Sequence, residues 1–260
     1  MSIYIWQDIP VDYLCFTAEQ ANCSISLNKT GSPTSVTLET STDWSTWSSY
    51  TIWNIITLSN LWDKVYFRNT SETTTWFSTS SSDYYTFNVS WNIAWSWDIN
   101  VLLNKNSTTI LSSRCYHKLF YGCWDLTTAP SLPATTLADK CYKNMFERSG
   151  LKSTPSLPAT TLADSCYYQM FHWCISLTWL PKLHATTLSD LCYYQMFQDC
   201  TNIKLSSSQT WIYQTAYRIP STWTGAEGSS SLYRMFYSTW WTFTGTPNIN
   251  TTYYTSNTVV

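Results

Sequence analysis

Cysteines, histidines and a recurring aspartate are the side chains of this sequence best suited to chemistry. The nine cysteines are Cys15, Cys23, Cys115, Cys123, Cys141, Cys166, Cys174, Cys192 and Cys200. None forms a C-x-x-C pair, so the usual zinc knuckle is absent. Three pairs lie eight residues apart instead: Cys115/Cys123, Cys166/Cys174 and Cys192/Cys200. If these segments stack, equivalent thiols stand roughly 4.7–5 Å apart, as neighbouring strands do, and that distance permits a bridge. Side chains in a column point the same way and pack as small hydrophobes. An odd cysteine count also argues against a complete disulfide framework. The expectation is therefore buried thiols and no metal. His117, His172 and His184 occupy different repeat offsets, converge on no common place and read as surface or rim residues. No nucleophile or orienting acid accompanies them, so no catalytic triad is implied. Asp139, Asp164 and Asp190 recur at one offset. A carboxylate ladder could bind calcium, but a helix N-cap role explains the same spacing without a ligand. The Tyr-Tyr pairs at 167–168 and 193–194 are either packing residues or stacking platforms for sugars or bases. Dinucleotide, Walker, metalloprotease and nucleophile-elbow motifs are all missing. The sequence thus points to no catalytic residues and no cofactor.

The elements that position these residues repeat. Leu132–Phe146, Leu157–Phe171 and Leu183–Phe197 align nearly residue for residue. A worn earlier copy runs Thr108–Phe120, and a relic survives as Leu232–Phe236. Each copy is too short to enclose a core, so copies must share one by stacking. Leu137, Leu162 and Leu188, each four residues before a repeat cysteine, are expected in one buried column. The Asp-x-Cys-Tyr-x-x-Met-Phe piece reads as a short helix. Leu126–Pro130, Leu151–Pro155 and Leu177–Pro181 read as short strands that proline terminates. One strand and one short helix per ~26 residues is the plan of a leucine-rich-repeat solenoid, whose usual period is 20–29. Before the repeats, segments such as 24–27, 36–38, 65–67 and 84–87 alternate or are rich in β-formers, with turn clusters between them. They predict a small antiparallel sandwich or barrel. The expected division is a β-rich region 1–103, a solenoid 104–205, and a divergent repeat with C-terminal cap 206–260.

Composition narrows the functions. Charged residues are 12% of the 260, and the net charge is −2. No basic field exists to drive nucleic-acid binding. No apolar run reaches the ~18 residues of a membrane span, and no basic-then-apolar signal peptide is visible at the start. Serine and threonine are 36 and 40 residues, so hydroxyls and aromatics would make most contacts with a partner.

The repeats resemble the BspA-like leucine-rich repeats in their aromatic, Gly-Cys and Thr-Ser-Leu elements, here Phe120–Leu126 and Phe171–Leu177. The likeness covers 108–205 well and 206–260 loosely, and 12–103 is similar to the β-rich segment that precedes such repeats. It implies a non-enzymatic binding or adhesion protein with a protein or glycan partner, at a cell surface, outside the cell or on a virion. A structural component of a surface or virion-like assembly is the alternative. Candidate ligand-facing residues are Thr127, Lys152 and Thr178, which differ from copy to copy while the core columns repeat. Two departures stand out: Ser149 replaces a cysteine, and Trp173 replaces a glycine. The second is part of a wider anomaly. There are 6 glycines and 16 tryptophans, where about 18 glycines are ordinary. Trp44, Trp53, Trp62, Trp91, Trp95, Trp97, Trp173 and Trp211 all sit in contexts that suit glycine, whereas Trp47 does not. The codon UGA, read as glycine in some bacteria and as tryptophan in others, would produce this exchange; genuine tryptophans forming an exposed apolar surface are the alternative.

Overall fold

Cys23, Ile25 and Leu27 alternate with Ser24, Ser26 and Asn28, and in the computed structural model this segment is a strand at the centre of a three-stranded sheet. The structure describes residues 13–71, 76–96, 98–103, 112–220, 222–223, 230–239 and 243–260. The first eight strands are β1 (Leu14–Ala18), β2 (Cys23–Thr30), β3 (Leu38–Ser41), β4 (Ser48–Ser49), β5 (Ile56–Leu58), β6 (Lys64–Asn69), β7 (Tyr84–Ser90) and β8 (Ile93–Ser96). They form two antiparallel sheets, in the orders β4-β3-β6-β1-β8 and β5-β2-β7. Phe16 on β1 and Phe67 on β6 meet Phe87 on β7 with ring centroids 5.1 and 5.4 Å away, which holds the two sheets face to face. Burial of each such ring contributes about 1.5–3 kcal/mol.

Phe87 also begins a second structure. Its ring stacks on Phe120 at 5.6 Å. The stack then continues through Phe146, Phe171, Phe197 and Phe236 at 5.3–5.7 Å, with ring planes within 10° of parallel. A parallel file of Tyr116, Tyr142, Tyr167 and Tyr193 runs beside it at 5.7–5.8 Å. The buried apolar residues from Leu14 to Tyr253 form one continuous cluster.

The expected leucine-rich-repeat solenoid, with a helix in each copy, is not what forms. Among the described residues strands make up 28%, and the helical part is 2%. Among the described residues the sole helical element is a 3-10 turn, Ile99–Leu102. The Cys-Tyr-x-x-Met-Phe segments are chains of β-turns. In residues 114–122, His117, Leu119 and Tyr121 donate their N–H three residues back, to Arg114, Tyr116 and Lys118. The residues between them donate sideways to the next copy: Tyr116 to Cys141, Lys118 to Lys143, Phe120 to Met145 and Gly122 to Glu147, at 2.8–3.1 Å. An α-helix would consume every one of these donors internally. Here every second donor ties one copy to the next. The geometry requires a left-handed residue at every fourth place, such as Arg114, Lys118 and Gly122 in one copy and Lys140, Asn144 and Arg148 in the next.

The remaining expectations for the repeats change accordingly. With no helix present, Asp139, Asp164 and Asp190 are not N-caps; their backbone carbonyls accept from Arg114, Lys140 and Ser165 of the preceding copy. The strands expected before each proline shrink to single links, Lys152 N–H to Thr127 and Thr178 N–H to Lys152. Only Trp179–Leu180 forms a strand there, pairing in parallel with Thr258–Val259. In the leucine column Leu137 and Leu188 are buried and Leu162 is partly exposed. Beyond the repeats, Leu205–Ser206, Thr252–Thr255 and Thr215–Arg218 make a three-stranded antiparallel sheet.

Candidate functional site

Of the three candidate ligand-facing residues, Lys152 and Thr178 are exposed and Thr127 is buried. The Thr127 hydroxyl turns inward and donates to Glu19 Oε2 at 2.8 Å. The backbone ladder brings the three into one line, but only two of them face solvent.

A cleft of about 330 Å³ opens instead on the turn face, where the repeats leave the sandwich. It is lined by His117, Lys118 and Tyr121 of one copy, Lys143, Asn144 and Glu147 of the next, and Tyr168 and Gln169 of the third, with Ser81 at its rim. The turn ladder places them. The residue after each buried tyrosine (or Leu232) forms a row: His117, Lys143, Tyr168, Tyr194, Tyr233. Tyr168 and Tyr194 stack at 4.6 Å and Tyr194 and Tyr233 at 5.3 Å. The Lys143 ammonium lies 4.2 Å above the Tyr168 ring, and that of Lys118 lies 4.6 Å from the Tyr84 ring. Such contacts hold a cation in place at modest energy. Alongside runs an amide row, in which Asn144 Nδ2 donates to Gln169 Oε1 (3.0 Å) and Gln169 Nε2 to Gln195 Oε1 (2.6 Å).

The cleft is short of negative charge. Lys143 is held below the usual lysine range, chiefly by loss of water and then by Lys140, Arg114 and Lys118. The single acid, Glu147, is already engaged: Asn144 Nδ2 donates to it at 2.5 Å, and His172 Nδ1 lies 3.2 Å away. His172 spans Glu147 and Asp199, with its Nε2 3.2 Å from Asp199. His117 departs from the rim reading. It is buried, its Nδ1 is 2.9 Å from the Lys143 carbonyl, and its Nε2 has no partner. The carbonyl can only accept, so Nδ1 carries the proton. Burial drives this ring down to a pKa of about 4. His184 lies apart, against the Leu157 carbonyl at 3.1 Å.

Chemically, the site offers two ammonium groups, stacked phenol faces and a row of amides. Among the described residues no serine or cysteine is hydrogen-bonded to a histidine. All nine cysteines are buried, and burial pushes Cys166 and Cys174 up to about 12. No group of three potential metal ligands occurs among the described residues. A second hollow, of about 370 Å³, lies between Ser41, Asp43, Thr46 and Ser48. There the Asp43 carboxylate already accepts from the Ser41 hydroxyl and the backbone N–H groups of Ser45 and Thr46.

The site was partly visible in the sequence. Six of the fourteen basic residues fall between 114 and 152, a cluster that a net charge of −2 conceals. Comparison with known proteins adds no identity: no family model, no curated protein and no solved structure matches the chain.

Proposed function

We propose that the chain is a non-enzymatic binding protein and that its turn-face cleft takes an acidic glycan. The observation that carries this reading is Lys143, seated on the Tyr168 ring and facing a site whose one carboxylate is already engaged. Sugars offer C–H faces that pack on phenol rings, and hydroxyls that amides and ammonium groups hydrogen-bond. An anionic substituent would relieve the repulsion among Lys118, Lys140, Lys143 and Arg114. Display at a surface accords with such a ligand and belongs to the same proposal.

Immobilised acidic and neutral saccharides, titrated with the full chain, test it. Binding to acidic saccharides should fall at least tenfold in Lys143→Met and weaken as salt rises. Binding that ignores both the charge of the sugar and the Lys143→Met change refutes the reading.

A further inference from the structure

Five tryptophans hold their backbone in the left-handed region: Trp44 (φ 56°), Trp53 (75°), Trp62 (71°), Trp91 (65°) and Trp173 (63°). A Cβ makes that conformation unfavourable, and for a bulky side chain it is a true outlier. Glycine adopts it at no steric cost. Such strain persists in proteins when burial of the side chain repays it, and none of these five side chains is buried. All five rings are exposed, from 39% at Trp44 to 67% at Trp62.

The backbone, by contrast, is tightly specified at each place. Trp53 N–H donates to Leu27 O at 3.0 Å, and Trp62 N–H to Ala18 O at 2.9 Å. Trp91 N–H reaches the Asp125 carboxylate at 3.0 Å. Trp44 lies inside the turn that Asp43 closes. Trp173 donates to Gln198 O just as Gly122, two copies earlier and at φ 74°, donates to Glu147 O. The turns are therefore required, while the side chains in them are not. The repeat ladder accepts Arg148 and Asp199 at the same place as Trp173, so the first four tryptophans carry the greater weight. Among described residues before 112, the other non-glycine residue with positive φ is Asn22, of a type that tolerates it.

Trp47 shows what an integrated tryptophan looks like here. Its ring lies 4.6 Å from Tyr13 and beneath the Arg68 guanidinium at 4.1 Å, and its Nε1 donates to Trp44 O at 3.2 Å. Of three further tryptophans in glycine-like contexts, the two that the structure describes lack the signature. Trp95 is in β8 opposite Phe16, Trp211 does not have positive φ, and Trp97 lies outside the described residues.

We propose that positions 44, 53, 62, 91 and 173 are glycine in the protein its own host makes, encoded by UGA that the host reads as glycine. The exposed indoles are then no docking surface, and the contact of Arg148 with the Trp173 ring at 5.6 Å is absent from the natural chain. This stands independently of the glycan reading, since the cleft contains none of the five.

Two measurements test it. The gene should carry UGA at all five positions and UGG at Trp47, and peptides from the host protein should show glycine at the five. UGG codons there, or tryptophan in the host peptides, overturn the proposal. Second, the chain with all five changed to glycine should melt several degrees higher than the tryptophan chain, while Trp47→Gly alone should melt lower. A five-glycine chain that melts lower shows the indoles to be structural and refutes the proposal.

Discussion

The buried tyrosine file yields a comparison in which one substitution has opposite effects at two sites. Tyr116 and Tyr142 are both fully buried, with ring planes 7° from parallel. The Tyr116 hydroxyl is 3.1 Å from Ile99 O and 3.2 Å from Asn100 Oδ1. The Tyr142 hydroxyl has no partner among the described residues. Removing a hydroxyl leaves almost no cavity, so hydrogen bonding decides each outcome. Tyr116→Phe loses a bond worth about 1 kcal/mol net and leaves its acceptors short of a donor. Tyr142→Phe releases an unsatisfied buried group, whose burial costs about 1–3 kcal/mol. The two variants should differ by about 2–4 kcal/mol, with Tyr142→Phe more stable than the parent and Tyr116→Phe less. Urea unfolding followed by tryptophan fluorescence measures both, and equal slopes confirm that the shift lies in stability. Equal losses in the two variants would mean that a water or another donor reaches Tyr142, and that the file is not dry.

Three other measurements probe the same architecture. His117 takes up a proton only below about pH 4 in the folded chain but near 6.5 when unfolded; its contribution is fully present above pH 6.5 and is lost as the pH falls toward 4, about 3 kcal/mol in all. The copies Tyr168, Tyr194 and Tyr233 place tyrosine at that position, so His117→Tyr should flatten the stability curve in this window, and an unchanged slope contradicts the burial argument. The nine thiols should react with a disulfide reagent only after denaturation, because all are buried; a fast native phase at pH 8 would disprove this. In the leucine column, Leu188→Ala should cost about 2–5 kcal/mol and Leu162→Ala distinctly less, since Leu188 is fully buried and Leu162 only partly; equal costs contradict the register.

The columns were legible in the sequence because identity at a fixed offset demands an identical environment. Cys141, Cys166 and Cys192 are all buried where the spacing places them, and the β-rich character of residues 14–96 follows from alternation such as Cys23-Ser24-Ile25-Ser26-Leu27. The backbone between the columns was not legible. Burial at Cys141, Tyr142, Met145 and Phe146 follows i, i+1, i+4, i+5, a spacing that over so short a span matches a helix as well as a chain of four-residue turns. What separates the two is the destination of alternate N–H groups, and that destination lies some 25 residues away, in another copy. The same non-locality hid the cleft. His117, Lys143 and Tyr168 differ in type, so no column announces them, and only the stacked turns reveal that three copies contribute to one site. Where copies repeat a residue, they build the core. Where they diverge at a shared offset, as in His117, Lys143 and Tyr168, the ladder still aligns them, so a repeat chain of this kind can vary its turn face without disturbing the aromatic files beside it.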